Sequence, residues 1–334
     1  MIARSRRKIE PEAWQEALRE AWSDPLALLA HLGTEPGAAG FEPAATTGFR
    51  FRVPRSFAAL IEPGDPADPL LRQVLPVAGE TATVPGFVDD PVGDGASERA
   101  PGLLHKYRGR ALLLVTGACA IHCRYCFRRE FPYEQSVGHR RLDDALAMIA
   151  ADHSLEEVIL SGGDPLVLDD GRLRELARTL AAMRHIKRLR VHSRLPVTLP
   201  ARITPDLLNW MTGSRLAPVL VVHANHPREL SAEVRDALLA LKAAGVTLLN
   251  QAVLLRGVND DASVLAALSG RLFECGVLPY YLHALDRVRG AAHFEVPDGE
   301  ATALIEALRD RLPGYLVPKL VREVAGAAAK LPLA

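Results

Sequence analysis

The chain has 334 residues, which is enough for one large domain with an accessory region or for two ordinary domains. Hydrophobic residues make up 49% of it and charged residues 24%, a composition typical of a globular protein. Forty Lys and Arg residues balance forty Asp and Glu residues, so the net charge gives no reason to expect a nucleic-acid or anionic-membrane partner.

The sequence predicts a cytoplasmic protein. The basic residues at positions 4–8 are followed by an amphipathic stretch at 9–22, not by the apolar core of a signal peptide. No apolar run reaches the ~18 residues that a membrane span needs. Three clustered cysteines and a distant Cys275 do not form the pattern of a disulfide framework.

We predict that residues 1–100 form an N-terminal extension of helices and irregular segments. Trp14 and Trp22 share one face of a predicted first helix. Asp24 and Pro25 predict the capped start of a second helix, which Gly33 ends, and another helix is expected after Asp68. Residues 33–48 and 81–97 are rich in turn-forming residues and are predicted to be loops.

From residue 103 onward the pattern alternates between strands and helices. Predicted strands cover residues 111–116, 157–161, 188–193, 218–223, 247–255 and 279–285. Predicted helices cover residues 142–151, 171–182, 204–211, 231–243 and 262–275, with a further helix at 300–312. Six such units predict parallel strands with right-handed crossovers, short of the eight in a closed barrel. We therefore predict an α/β fold with a partial (β/α)6 barrel of the TIM type at 101–312 and a C-terminal segment at 313–334.

Cys119, Cys123 and Cys126 follow the first predicted strand directly. They lie on the loop at its carboxyl end, where βα folds carry their chemistry. A structural zinc site normally needs four ligands. Three thiolates on one loop instead favour an iron–sulfur cluster of four irons, one of which keeps an open position. A zinc knuckle and packed core cysteines are the alternatives.

Polar residues end the next strands as well, which predicts a lined cavity. Gly162 and Gly163 allow a close backbone approach to a ligand, and the adjacent Asp164 can accept hydrogen bonds from an ammonium group. His192 and His223 end the third and fourth strands. Taken alone, Gly-Gly-Asp is an ordinary turn, and a single histidine is more typical of a hydrogen-bonded core or loop residue.

Together these motifs resemble the radical S-adenosylmethionine (SAM) superfamily, and more closely the lysine 2,3-aminomutase family. The resemblance runs from about residue 51 to the C-terminus and rests on residues 101–107, 119–128, 161–164, 225–227, 250–260, 279–281 and 314–318. Within this family the chain most resembles the branch linked to β-lysylation of elongation factor P. This closer resemblance rests on the short chain, on Leu-Leu-His-Lys-Tyr at 103–107 and on Val-Pro-Lys-Leu at 317–320.

The resemblance implies a [4Fe–4S] cluster, SAM and pyridoxal 5′-phosphate (PLP) as cofactors. It implies the following site residues: Cys119, Cys123 and Cys126 for the cluster; Lys330 for the Schiff base with PLP; Lys106 and Arg110 for its phosphate; Tyr125, Gly162, Gly163, Asp164, His192 and His223 for SAM; and Arg128, Asp286 and Glu323 for the two ends of lysine. Lys319 is the competitor of Lys330.

The implied reaction is radical conversion of (S)-α-lysine to (R)-β-lysine. The resemblance implies a reducing partner such as flavodoxin or ferredoxin. It also implies a functional link to an elongation factor P ligase. Asp261 stands where longer members carry a zinc-binding cysteine, so we expect no zinc. An aminomutase for arginine or glutamate and a zinc-dependent binding module are the alternatives. Neutral net charge and the missing fourth ligand argue against the binding module.

Overall fold

The computed structural model describes residues 13–334. The basic positions 4–8 and the first part of the predicted amphipathic helix lie outside the described residues. Between residues 13 and 97 the α-helices are short: α1 (Ala13–Arg19), α2 (Pro25–Leu32), α3 (Arg55–Ala58), α4 (Pro69–Arg72) and α5 (Asp94–Ser97). No helix within residues 13–334 combines the length and apolar character needed to cross a membrane.

One open sheet of ten strands organises the rest of the chain, with its strands in sequential order. The strands are β1 (Glu98–Ala100), β2 (Leu103–Tyr107), β3 (Arg110–Thr116), β4 (Glu157–Gly162), β5 (Arg188–Ser193), β6 (Ala217–Val222), β7 (Thr247–Val253), β8 (Leu278–His283), β9 (Lys319–Arg322) and β10 (Leu331–Pro332). Strands β3 to β9 are parallel, whereas β1, β2 and β10 pair antiparallel at the two edges.

Helices connect the parallel strands and cover the sheet. They are α6 (Tyr133–Ser136) and α7 (His139–Ala151) after β3, α8 (Asp170–Ala182) after β4, α9 (Leu195–Thr198) and α10 (Pro205–Thr212) after β5, α11 (Ala232–Ala243) after β6, α12 (Ala262–Glu274) after β7, and α13 (Asp298–Arg311) after β8. Their apolar faces join the strands in one large hydrophobic core. The predicted partial barrel is thus confirmed, and its sheet does not close.

The extension has a hydrophobic core of its own, built from α2, α3 and α4. Asp24 and Asp68 cap α2 and α4 by accepting backbone N–H bonds, and Gly33 ends α2 at φ 64°, as predicted. This second core includes Ile121 from the cysteine loop, and Cys123 packs against it. The extension therefore forms one wall of the region that holds the cysteines.

The structure corrects several predicted boundaries. The first helix ends at Arg19 because Trp22 pairs with Val53 in a short β-bridge. Strand β7 ends at Val253, where its ladder with β8 ends at His283; its ladder with β6 has already ended at Asn250. Strands β1, β2, β9 and β10 were not predicted; they are short, and their pairing depends on neighbours distant in the chain.

Candidate active site

A cavity of about 1100 Å³ opens at the carboxyl ends of the parallel strands. Loops after β3, β4, β5 and β6 form much of its wall, and the segment between β9 and β10 completes it. Every predicted site residue lines this cavity: Lys106, Arg110, Cys119, Cys123, Tyr125, Cys126, Arg128, Gly162, Gly163, Asp164, His192, His223, Asp286, Glu323 and Lys330. The fold thus brings the predicted set to one place.

The three loop cysteines are half-buried and free of disulfide bonds. Burial raises the pKa of the Cys119 thiol, and the neighbouring Cys126 raises it further. Burial also raises the pKa of Cys126 to about 11, with Cys123 adding to the effect. Cys119 and Cys126 become thiolates together only beside a positive centre that offsets their burial and mutual repulsion. An iron–sulfur cluster supplies that charge, so the donor set fits it. Within residues 13–334, no three His, Cys, Asp or Glu side chains are arranged to hold a single metal ion.

The cysteine loop is tied to the extension through Arg124. This fully buried side chain forms a charge-assisted hydrogen bond from Nε to Glu80 Oε1 at 2.8 Å, and its backbone N–H donates to the Gln73 carbonyl at 2.9 Å. Arg129 reaches the same carboxylate at 2.9 Å. Glu80 therefore pairs with two arginines of the loop and holds it against the extension.

The Gly162–Asp164 turn packs directly on the cysteine loop. A Cβ on Gly162 would lie 2.2 Å from the Thr116 carbonyl oxygen, and one on Gly163 would lie 2.3 Å from that of Ala118. The Gly163 N–H donates to Thr116, and the Asp164 carboxylate accepts bonds from Ser193 and from the backbone of the following loop. In this structure, the two glycines permit close contact between loops, and Asp164 orders the turn.

Tyr125 and the two predicted histidines occupy the inner part of the cavity. The Tyr125 hydroxyl accepts a hydrogen bond from Asn225 at 2.7 Å. His192 and His223 stand edge to face at 5.8 Å, and the Nε2 atom of each has no hydrogen-bond partner among the described residues. Burial lowers the pKa of both, that of His223 to about 4, so both are neutral at neutral pH. Their free ring nitrogens are available to a bound ligand.

Arg128 lies beside Asp94, a residue that was not singled out from the sequence. The Arg128 Nε donates to Asp94 at 2.6 Å, and Nη1 donates to the Ser161 hydroxyl at 3.1 Å. Burial alone would raise the pKa of Asp94, but the charges of Arg128 and Lys106 outweigh it and hold that pKa below its usual value. Asp94 is therefore ionised, and its carboxylate orients the Arg128 guanidinium. Asp94 is the first residue of the short helix α5, and the sequence around it carries no recognisable motif.

Lys330 and Lys106 meet at Glu323. The Lys330 Nζ donates to one carboxylate oxygen at 2.7 Å, and the Lys106 Nζ donates to the other at 2.9 Å. Burial opposes ionisation of Glu323, but the two ammonium groups prevail and lower its pKa to about 2. Lys330 also lies 3.5 Å from His283 Nε2 and above the Tyr281 ring. Lys319, by contrast, is exposed at the start of β9 and does not line the cavity.

Two further residues complete the charge pattern. Asp286 is partly buried, and burial together with nearby Glu323 raises its pKa to about 7. The Arg110 guanidinium lies over the Tyr107 ring at 4.6 Å. Cations and carboxylates alternate along one chain of ion pairs in the cavity wall, which runs Lys330, Glu323, Lys106, Asp94, Arg128. This arrangement suits a ligand that carries both charges, and the cationic group of Arg110, Lys106 and Lys330 suits a phosphate.

Comparison with known proteins identifies the class of this protein. Residues 113–267 match the family model described as Radical SAM superfamily. The chain is 51% identical over 326 residues to L-lysine 2,3-aminomutase of Escherichia coli, covering 96% of this chain and 94% of that protein. It is 46% identical to the protein of that name from Haemophilus influenzae, with 95% and 94% covered, and 41% identical to that from Buchnera aphidicola, with 99% and 98% covered.

The chain is a radical SAM enzyme of the isomerase class. It belongs to the lysine 2,3-aminomutase family. Membership of this family implies a [4Fe–4S] cluster, SAM and PLP as its cofactors. The alternative of a zinc-dependent binding module is therefore wrong.

Proposed function

We propose that this enzyme interconverts (S)-α-lysine and (R)-β-lysine. The observation that carries the proposal is the charge pattern of one cavity: Arg128 lies on the cysteine loop, while Asp286 and Glu323 lie together near Lys330. A guanidinium is suited to a carboxylate, and a pair of carboxylates is suited to a desolvated ammonium. Lysine carries both groups at its two ends. The names of the relatives support the same substrate.

The residues then have separate tasks. Cys119, Cys123 and Cys126 hold the cluster, and Tyr125, Gly162, Gly163, Asp164, His192 and His223 surround SAM. When bound, the cluster and SAM supply the chemistry that removes and returns a hydrogen atom, and PLP holds the nitrogen that migrates. Lys330 is the lysine that carries PLP, and Lys106 and Arg110 bind its phosphate. Arg128 binds the α-carboxylate of the substrate, in the orientation that Asp94 and Ser161 impose.

Glu323 links the cofactor end of the cavity to the substrate end. Without ligands it pairs with both Lys106 and Lys330, and Lys106 also pairs with Asp94 at 2.6 Å. A bound phosphate would pair with Lys106 in place of Glu323. The Glu323 carboxylate would then be available to the ammonium group of the substrate.

The activity test uses anaerobically reconstituted protein with SAM, PLP, a chemical reductant and one amino acid at a time. We expect β-lysine from lysine and no β-amino acid from glutamate, which lacks a terminal cation. Preferred turnover of arginine would replace lysine with the arginine alternative, because a guanidinium also accepts two carboxylates. Formation of no β-amino acid from any of the three would contradict the proposal.

Cysteine variants test the cluster separately. Replacing Cys119, Cys123 or Cys126 with Ala should abolish reductive cleavage of SAM to 5′-deoxyadenosine. Cys275 is the matched control, since it is buried at the C-terminal end of α12 and does not line the cavity. Normal 5′-deoxyadenosine formation by Cys123→Ala would remove Cys123 from the ligand set.

We further propose that the β-lysine formed serves modification of elongation factor P through a partner ligase. The resemblance of residues 103–107 and 317–320 to that branch of the family supports this role. Deleting the gene should lower the mass of elongation factor P by the mass of one lysyl group, and added β-lysine should restore it. An unchanged mass would separate the enzyme from this pathway without affecting its proposed activity.

A further inference from the structure

Arg194 has no role in the function proposed above, yet its side chain contacts a cysteine of the cysteine loop. Its Nη1 donates to the Cys123 sulfur at 2.7 Å. The side chain is 5% exposed, so this hydrogen bond lies in a low-dielectric environment. No side-chain donor to the sulfur of Cys119 or Cys126 is present among the described residues. The three cysteines are therefore not equivalent.

The guanidinium is fixed from several directions. Nη2 donates to Gln73 at 2.6 Å and to Glu229 at 3.0 Å. The group lies over the Phe57 ring at 5.3 Å and near the Tyr125 ring at 5.6 Å. Gln73 and Phe57 belong to the N-terminal extension, so two separate parts of the chain hold Arg194 against the cysteine. Such a rigid donor keeps its geometry whether or not the adjacent group changes charge.

The counter-charge on Glu229 is already shared with other donors. This carboxylate is fully buried and also accepts from the Gln73 side chain and from the backbone N–H groups of Asn225 and His226. Arg194 thus has a partner that fixes its position, while one edge of its guanidinium is directed at the sulfur.

Hydrogen bonds to the ligand sulfurs and nearby charge set the reduction potential of an iron–sulfur cluster. One-electron reduction adds a negative charge to the cluster, and the protonated guanidinium stabilises that charge without transferring a proton. We propose that Arg194 raises the reduction potential of the cluster through its bond to Cys123 and makes it easier to reduce. This inference rests on the proposed role of Cys123 as a cluster ligand.

The test is a potentiometric titration of the anaerobically reconstituted full chain, followed by the electron paramagnetic resonance signal of the reduced cluster. We expect Arg194→Gln to lower the equilibrium constant for reduction about tenfold, which for one electron is a midpoint about 59 mV more negative. Arg194→Lys keeps the positive charge but cannot donate to Cys123 and to Glu229 from two separate nitrogens. Its midpoint should therefore lie between those of Arg194→Gln and the unchanged protein. Arg202→Gln is the matched control, because Arg202 is equally buried and paired with Asp170 but does not line the cavity.

A second variant keeps the test decisive if Arg194 variants bind no iron. Glu229→Gln removes the negative charge behind Arg194, so its midpoint should shift to a more positive value. Damage to the fold would not move the potentials of the two variants in opposite directions. An unchanged midpoint in iron-replete Arg194→Gln, or an unchanged or more negative one in Glu229→Gln, would overturn the inference. A wild-type chain without a reducible cluster would instead overturn the proposed cluster ligation itself.

Discussion

Asp286 combines partial burial with a neighbouring negative charge, and both raise its pKa to about 7. An ammonium ion binds the ionised form of this carboxylate. We therefore expect lysine to bind more tightly as the pH rises through about 7, with the change greatly reduced in Asp286→Asn. Titration calorimetry of the cofactor-loaded, unreduced enzyme at several pH values measures this. Tighter lysine binding at acidic pH would contradict it.

The same pKa shift has the opposite effect on stability. Since the folded-state pKa of Asp286 lies above its ordinary value, this group favours folding below that ordinary value and loses its contribution as the pH rises through about 7. Denaturant titrations of the ligand-free protein should show Asp286→Asn gaining stability, relative to the unchanged chain, as the pH is raised. If the unfolding free energies of the two proteins had the same pH dependence, Asp286 would not be the group with the raised pKa.

The turnover of Asp286→Asn provides a separate prediction. Loss of one partner of a buried charge typically costs about 3–5 kcal/mol, which is roughly a hundred- to several-thousand-fold in binding or rate. We expect a loss of this size in lysine turnover, with SAM and PLP still bound. Asp236→Asn serves as the control, because Asp236 is exposed beside Arg235. Full activity of Asp286→Asn would exclude lysine recognition by this residue.

Lys330 and Lys319 differ in position rather than in chemistry. Lys330 lies in the cavity with Glu323, whereas Lys319 is exposed. We expect borohydride reduction of the PLP-loaded protein, followed by peptide mapping, to label Lys330. Lys319→Ala should keep the label and Lys330→Ala should lose it. Label on Lys319 alone would reassign the cofactor lysine.

At the scale of elements, the extension and the cysteine loop behave as one unit. Glu80 holds Arg124 and Arg129 together, and all three side chains are buried. Removing one partner from such a group commonly costs about 3–5 kcal/mol, because it leaves a buried charge uncompensated. Glu80→Gln should therefore lower the unfolding free energy and loosen the loop, and the reconstituted protein should contain less iron.

A surface pair is the control for this prediction. Glu156 pairs with Lys187 and Arg188 but is largely in contact with solvent, where ion pairs contribute little. Glu156→Gln should leave both the unfolding free energy and the iron content nearly unchanged. Equal effects of the Glu80 and Glu156 variants would show that the extension does not support the loop.

At the scale of the whole molecule, the open sheet leaves a cavity whose walls come from both ends of the chain. Ligands that bind only the folded state raise stability, by about 2.7 kcal/mol at a hundred times the dissociation constant. We expect PLP and SAM each to raise the melting temperature, and Lys330→Ala to lose most of the PLP effect while keeping that of SAM. Loss of both effects would show that the two ligands do not bind independently.

The sequence by itself determined the features that depend on neighbours along the chain. The six central strands follow from apolar runs of suitable length, and the caps of α2 and α4 follow from Asp-Pro pairs whose side chains reach their own backbone. The cysteine spacing and the strand-end motifs led to the family that the comparisons support. Each of these signals lies within a few consecutive residues.

Only the tertiary structure decided the features that join distant segments. Asp94 meets Arg128, Glu80 meets Arg124, and Arg194 meets Cys123, each across 34 or more positions. Strand β9 pairs with the free edge of β8, β10 pairs with β9, and the segment between them carries Lys330 into the cavity. Buried charge pairs are selected by proximity in space, and no local pattern encodes which partner will be near.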